Sequence, residues 1–349
     1  MKIFPQGKLM ETEVKRRSSN SAKTTGQFWV FSLLPPGCGL LLIGIAPIFI
    51  SKYWMFLTSM LFAYVIAILG LKVLYGDCGQ LSLAQASFMA IGAYGAAIAS
   101  TKLRLTLPYE LLFVIVVCVC VAIILALSAL RVSGLRFALV TLAFGGIIQR
   151  FLREARSLTG GEQGLFVPSP FLGSLDTKSP IFLYFTSALL ACLATLIVWH
   201  LPKTRTGRAM CAVRESEMAA VSVGISLMRT KLTAFVLSSV FGGVSGLLVA
   251  HVSRSISPTT FGLFPSIYLI VALIVGGRRS AFGSWVGAAY LVAIPALFTA
   301  LNLSELYAIT SGAILLTVVM LYPSGISGLL QKFGTRLSVR LGSVSHEQI

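Results

Sequence analysis

Long apolar runs separated by short polar stretches constrain the fold of this 349-residue chain more than any other feature. A helix needs about 20 mainly apolar residues to cross a bilayer, and most of the runs reach that length, although 134–150 and 263–277 are short. Charged residues make up only 11% of the chain, against about 25% in a soluble domain. The sequence therefore predicts an all-α, polytopic membrane protein with about ten transmembrane helices, at residues 28–50, 54–75, 81–100, 110–130, 134–150, 181–201, 232–251, 263–277, 282–301 and 304–322.

The chain divides into a membrane domain and two polar ends. Residues 1–27 are basic, and no small-residue cleavage site closely follows a short apolar core, so we interpret them as a cytoplasmic tail before an uncleaved span. The transmembrane domain is predicted at 28–322, surrounded by membrane lipid, and 201–232 forms a cytoplasmic loop within it. Residues 323–349 form a second cytoplasmic tail.

The basic residues predict the orientation in the membrane. With ten spans and both termini inside, the inner side collects 20 of the 28 Lys and Arg residues, as expected when cytoplasmic loops are enriched in positive charge. The net charge of +17 does not indicate nucleic-acid binding, because the basic residues are scattered among loop ends and form no recognisable nucleic-acid module.

The distribution of spans suggests internal symmetry. Five spans precede the predicted outer loop at 151–180 and five follow it. Because each half holds an odd number of spans, the two halves would have opposite topology, which is common in transporters. We therefore expect an inverted 5+5 repeat.

The polar stretch 201–232 is the most unusual interruption. It holds six of the 28 Lys and Arg residues and is predicted to form one short amphipathic helix, capped at its start by Thr206 and closed by Gly224. Small residues share one side of this helix, so a partner could approach it closely. A basic loop that only sets the topology is the alternative.

This stretch also resembles a known loop. Glu217-Met218-Ala219-Ala220, followed by Gly224, is similar to the E-A-A…G loop of the membrane subunits of ABC importers, and its flanks resemble the branched-chain amino-acid permeases more specifically. In that family the loop is a coupling helix that docks into a groove of the ATPase subunit. The resemblance implies a coupling role for Gly207, Arg208, Arg214, Glu215, Glu217, Ala219, Ala220 and Gly224.

A second resemblance covers residues 76–94, which are rich in glycine and serine beside an apolar span. They resemble the G-x-x-G-x-x-S-L-x-x-A-x-F-x-x-x-G-A-Y signature of the same permeases, with Ala84 in place of a common glycine. A glycine-rich turn at membrane depth can expose backbone groups to a solute, but it can equally serve helix packing alone. The candidate translocation path comprises Gly76, Gly79, Ser82, Gln85, Phe88, Gly92, Tyr94, Thr141 and Phe144.

Further family segments follow in order, so the resemblance extends over roughly residues 70–330. They are 134–145, 159–165, 256–261 and 283–288. The resemblance implies a bacterial inner-membrane protein that works with two ATP-binding cassette subunits, a second related permease and an extracytoplasmic solute-binding protein. It implies branched-chain amino acids as solutes, with urea or short amides, which related permeases carry, as the alternative.

Other function classes find little support. The chain lacks G-x-x-x-x-G-K-[ST], so we expect no ATP site and no bound cofactor, with ATP hydrolysed by partner subunits. The three histidines are isolated and the cysteines form no CxxC pair, so we expect no metal site. An ion-coupled secondary carrier would need buried carboxylates, which the pattern does not indicate. An enzyme would need a nucleophile and a base, for which no set can be assembled.

Overall fold

Eight of the predicted apolar runs coincide with helices in the part of the chain that the structure describes. This computed structural model describes residues 51–129, 134–170 and 179–301. The helices are α1 (Lys52–Leu71, continued by a π-helical turn at Lys72–Asp77), α2 (Gln85–Thr101), α3 (Leu107–Ala129), α4 (Leu135–Glu154), α6 (Pro180–His200), α9 (Leu227–Ser253), α10 (Leu263–Gly276) and α11 (Ala281–Ala300).

Six of these helices are long and apolar enough to cross a membrane: α1 with its π-helical turn, α3, α4, α6, α9 and α11. Helices α2 and α10 are shorter, at 17 and 14 residues. The molecule is therefore a helical, polytopic membrane protein. The predicted spans 28–50 and 304–322 and the tails 1–27 and 323–349 lie outside the described residues.

Short elements connect the long helices. One connection contains α5 (Arg156–Thr159), a 3-10 turn and strand β1 (Leu165–Phe166), which pairs antiparallel with β2 (Ser255–Ile256) after α9. A 3-10 turn at Pro258–Phe261 then leads into α10. The polar stretch between α6 and α9 contains two helices, α7 (Arg205–Glu215) and α8 (Glu217–Ser222).

Helices α1 and α9 form the centre of the described bundle. In the most apolar part of each, 72% of the residues are buried, against 22% in each of α3, α4 and α11. Helix α9 packs on α1, α2 and α3, while α1 also packs on α6 and α11. The outer helices consequently expose apolar side chains, as expected of surfaces in contact with lipid or with another membrane subunit.

Glycines allow the closest helix contacts. A Cβ added to Gly92 of α2 would meet the backbone of Gly243 in α9, and one added to Gly246 would meet the backbone of Met89. The helices α10 and α11 approach each other in the same way, since Gly287 lies against the carbonyl of Ala272. Gly283 and Gly287, which have the G-x-x-x-G spacing, thus both serve the packing of α11 on α10.

Connections that were predicted to lie on the same side of the membrane meet in space. Arg214 contacts Gly76, and Arg278 contacts Tyr75, at one end of the bundle. At the other end, β1 pairs with β2, and the start of α1, the start of α6 and the end of α9 line a common hollow. The described connections therefore form two groups, one at each end of the bundle.

Candidate functional site

Helix α7 begins two residues earlier than predicted. Its cap is Thr204, whose Oγ1 accepts a hydrogen bond from the N–H of Gly207 at 3.0 Å. Thr206 lies inside the helix, so the prediction that it caps the helix is wrong. The 3-10 turn Leu201–Lys203 ends α6 directly before Thr204, so the backbone is already extended at that residue, as a cap requires.

The predicted single helix is in fact two. Ser216 is extended, with φ −159° and ψ 118°, and its side chain accepts a hydrogen bond from the N–H of Ala219. Serine competes for backbone hydrogen bonds inside a helix and is favoured at an N-cap. The chain therefore turns at Ser216 and starts α8 at Glu217, which places the carboxylate in the first helical turn.

Gly224 closes α8 as predicted. Its φ is +82°, in the left-handed region that favours glycine. The N–H of the next residue, Ile225, donates to the carbonyl of Ala220 at 3.0 Å, and the N–H of Gly224 donates to Val221 at 2.9 Å. These bonds satisfy carbonyls at the end of the helix, in the manner of a Schellman motif.

The two short helices have one buried side and one exposed side. Gly207, Met210, Val213 and Ala220 are buried, and Gly207 lies so close to the carbonyl of Leu201 that a side chain there would collide with it. The exposed side includes Met218, which is 83% exposed, and the residues Arg208, Glu215, Ala219, Val221 and Val223. Exposed methionine and valine beside charged residues are typical of a surface that contacts a partner.

Arg214 ties α7 to the end of α1. Its Nη1 donates a 2.6 Å hydrogen bond to the carbonyl oxygen of Gly76. The same guanidinium forms a 2.6 Å ion pair with Glu215, and this contact lowers the pKa of that exposed carboxyl. One arginine thus satisfies a free carbonyl at the end of a membrane helix and holds an exposed acid.

Glu217 ties α8 to α9. The Nζ atom of Lys231, in the second turn of α9, lies 2.8 Å from Oε1 of Glu217. The lysine side chain is only 4% exposed, while the glutamate side chain is 42% exposed. Cys78 lies close enough for both charges to act on its thiol, although burial is the main influence and raises its pKa to about 12.

Two further polar contacts complete this end of the bundle. Lys72 and Asp77 form a buried 2.8 Å ion pair within the π-helical turn. The guanidinium of Arg278 donates to the hydroxyl of Tyr75 at 3.4 Å and lies 5.8 Å from the centre of the ring. We call this set the inner junction: Lys72, Tyr75, Asp77, Arg214, Glu217, Lys231 and Arg278.

Two of the predicted path residues, Gly76 and Gly79, lie against residues of the inner junction. A Cβ at Gly76 would collide with the carbonyl oxygen of Arg278. Gly79 has φ +77°, and a Cβ there would lie 2.9 Å from Cγ of Arg214. Gly76 thus allows close contact with the backbone of Arg278, and Gly79 with the side chain of Arg214.

The next three path residues lie at the start of α2. Ser82 accepts a 3.2 Å hydrogen bond from the N–H of Ala84. Buried Gln85 donates to the carbonyl of Ala67 in α1, at 3.0 Å, and accepts from the hydroxyl of Ser238 in α9, at 3.1 Å. Phe88 is buried, with its ring centre 5.7 Å from that of Phe235 in α9.

The remaining path residues join α2 to its neighbours. Thr141 of α4 accepts a 3.0 Å hydrogen bond from the N–H of Leu83, and the half-buried Phe144 packs on Phe88 at 5.6 Å. Gly92 crosses α9, and the buried hydroxyl of Tyr94 has no hydrogen-bond partner among the described residues. In this conformation the set joins α1, α2, α4 and α9, and its role in translocation stays a prediction.

One pair of functional groups was missed by the sequence interpretation. Nε2 of His251, at the end of α9, lies 2.8 Å from Oε2 of Glu110, at the start of α3, and both side chains are 0% exposed. The view of the histidines as isolated is therefore wrong for His251. The two residues are 141 positions apart, and the only signal is an acid within an apolar run.

The comparisons with known proteins indicate the same family. A profile described as "Branched-chain amino acid transport system / permease component" matches residues 53–319. The high-affinity branched-chain amino acid transport system permease protein LivM of Salmonella typhimurium is 31% identical over 334 residues, which span 88% of this chain and 77% of the relative. LivM of Escherichia coli is 30% identical with the same coverage.

A more distant relative extends the same pattern. The probable branched-chain amino acid transport permease protein LivH of Methanocaldococcus jannaschii is 28% identical over 76% of this chain and 88% of its own length. No solved structure matches the chain at comparable significance.

Proposed function

Because the chain belongs to the family of branched-chain amino-acid transport permease components, we propose that it is the transmembrane permease subunit of an ATP-driven importer for branched-chain or related small amino acids. The observation that carries the proposal is the stretch α7–α8, which combines the family's E-A-A…G pattern with an exposed outer side and an anchored inner side. The chain itself binds no ATP, and two ATP-binding cassette subunits hydrolyse it.

The contacts of the inner junction support coupling. Arg214 joins α7 to α1, and Lys231 joins α8 to α9. Because α1 and α9 are the most buried of the six candidate spans, a displacement of α7–α8 by an ATPase subunit acts directly on the centre of the bundle. A loop that only set the topology would need no such anchors.

The proposed architecture has ten spans in an inverted 5+5 repeat. The second and seventh spans, α1 and α9, are buried to the same extent, as are the fourth and ninth, α3 and α11. The third and eighth, α2 and α10, are both short, at 17 and 14 residues. Moreover, α9 packs on α3 as α1 packs on α11, which is the equivalence that such a repeat requires.

A second, related permease is the proposed partner in the membrane. Helix α4 exposes a face of small and apolar residues that includes Leu139, Ala143, Gly146 and Ile147, and nothing lies within 4 Å of a Cβ added at Gly146. Small residues allow close helix approach in lipid. The translocation path is proposed beside α2 and α4, near Thr141 and Phe144.

The proposed orientation in the bacterial inner membrane has both termini and the inner junction in the cytoplasm. The segment from α5 to β2 then faces outward, where an extracytoplasmic solute-binding protein delivers the solute. The excess of Lys and Arg on the predicted inner side supports this orientation.

Uptake by the reconstituted complex tests the function. The chain would be assembled with its two ATPase subunits, the second permease and the binding protein in proteoliposomes, and uptake of labelled leucine, isoleucine, valine and urea would be measured with and without ATP. We expect ATP-dependent uptake of the branched-chain amino acids. ATP-dependent uptake of urea alone would replace the proposed solute class.

A different result would contradict the importer itself. Uptake by the permease alone, driven by a proton or sodium gradient, would favour the ion-coupled carrier. The buried Glu110 is the observation on which that alternative depends, because carriers of this kind use intramembrane carboxylates. Hydrolysis of ATP that is stimulated by the loaded binding protein, without gradient-driven uptake, would exclude it.

A further inference from the structure

The ion pair between Glu217 and Lys231 has an unequal environment. Lys231 is buried in the second turn of α9, whereas Glu217 is half-exposed at the start of α8. A buried ammonium group is costly unless an acid compensates its charge. Asp77, the buried acid of the inner junction, is already paired with Lys72, so Glu217 is the carboxylate that neutralises Lys231.

The ion pair between Glu217 and Lys231 joins α8 to α9 in addition to the chain itself. Only residues 223–226 connect the two helices, and they include Gly224 in the left-handed region. A short glycine-containing link fixes the distance between two helices but leaves their relative direction adjustable. The 2.8 Å contact between Glu217 and Lys231 adds a second connection, so α8 cannot turn without moving the start of α9.

The outer side of α8 offers different groups to a partner. Met218 and Val221 project from the same short helix and are 83% and 52% exposed. Neither residue is needed to neutralise a buried charge, while both provide apolar surface. The two sides of α8 are thus chemically separate, with an ionic contact to α9 on one side and apolar groups on the other.

We propose that Glu217 is a positioning residue that transmits the movement of α8 to α9 through Lys231, while Met218 and Val221 contact the ATPase subunit. This inference rests on the proposed coupling role of α7–α8. It differs from a docking role for Glu217, because the carboxylate acts within the permease. Breaking the pair uncouples hydrolysis from transport without releasing the ATPase subunits.

Charge exchange in the full complex tests the proposal. Glu217→Lys and Lys231→Glu would be made singly and together, and each complex would be assayed for retained ATPase subunits, ATP hydrolysis and uptake. We expect each single change to lower uptake per ATP by about tenfold, and the double change to restore it to within about threefold. All three complexes should retain their ATPase subunits. Glu217→Gln, a smaller change, should uncouple in the same direction and guards against misfolding of the reversed variants.

Met218→Glu is the matched control, since it alters the exposed side of the same helix. We expect it to release the ATPase subunits during purification. If Glu217→Lys also releases them and the double exchange restores nothing, Glu217 contacts the partner, and the transmission role is overturned while the importer function stands. If no variant, including Met218→Glu, changes retention, hydrolysis or uptake, the coupling function of this segment fails as well.

Discussion

At the scale of single residues, glycine and serine decide the local geometry of the candidate site. Gly224 could be predicted from the sequence, because a glycine after a helical run is a frequent helix end. Ser216 could also have been recognised, because serine directly before an acidic residue is typical of a helix N-cap. The prediction of one continuous helix did not take this pattern into account. Thr204 and Thr206 were both possible caps, and the end of the preceding helix, which tertiary packing sets, decided between them.

Gly76 provides a residue-scale prediction about stability. Replacing it with alanine would place a Cβ against the carbonyl of Arg278, and crowding of this kind costs about 2 kcal/mol. We expect Gly76→Ala to lower the thermal unfolding temperature of the protein in detergent. Gly146→Ala is the matched control, because that site has open space within a helix; its unfolding temperature should stay the same or rise. Equal effects of the two changes would contradict the contact.

At the scale of helices, the length and apolar composition of the runs were sufficient to predict where the helices lie. They were not sufficient to predict which helices pack against each other. The run at 263–277 was predicted to be short and forms α10, Leu263–Gly276. The run at 134–150 looked short, yet α4 continues to Glu154, because Arg150 and Glu154 form an exposed ion pair one turn apart. A helix can extend past its apolar part when such pairs support its end.

The pair Glu110–His251 gives a prediction at this scale, since it joins α3 to α9. Removing one member leaves the other buried without its partner, which costs about 3 kcal/mol in comparable buried pairs. We expect Glu110→Gln and His251→Leu each to lower the unfolding temperature strongly. The double variant Glu110→Leu with His251→Leu should lose less than the sum, because it leaves no unpaired group.

Glu154→Gln is the comparison for that experiment. It breaks an ion pair whose two side chains are 80% and 63% exposed, and such surface pairs contribute at most about 1 kcal/mol. A loss of stability in Glu154→Gln as large as that in Glu110→Gln would show that burial of the Glu110–His251 contact has no energetic consequence.

At the scale of the whole molecule, the order of the spans determines which loops share a side. A cysteine at Met218, on the exposed side of α8, should be labelled by an impermeant thiol reagent only when the cytoplasmic face is accessible. A cysteine at Glu162, between α5 and β1, should be labelled in intact cells. Buried Cys78 should stay unlabelled in both cases, because its raised pKa keeps the thiol protonated. Labelling of Met218→Cys in intact cells would overturn the orientation.

The symmetry proposed for the whole molecule has only partial support in the sequence. The number of spans on each side of residues 151–180 suggested a repeat, but the residues of the two halves share little beyond glycine, serine and alanine spacing. Equivalent burial of α1 and α9 depends on packing, which many different apolar residues satisfy. The proposed repeat would therefore need no close similarity between the sequences of its two halves.

The π-helical turn at the end of α1 has a consequence for chain length. Lys72 and Asp77 are five positions apart, and in an ordinary α-helix residues at that spacing point in quite different directions, since each step rotates by about 100°. The wider winding brings them onto one side, and Gly76 of the same turn accepts the hydrogen bond from Arg214. The ion pair between Lys72 and Asp77 thus stabilises the register of this turn. Insertion or deletion of one residue here would break the pair and rotate the following helix away from its neighbours.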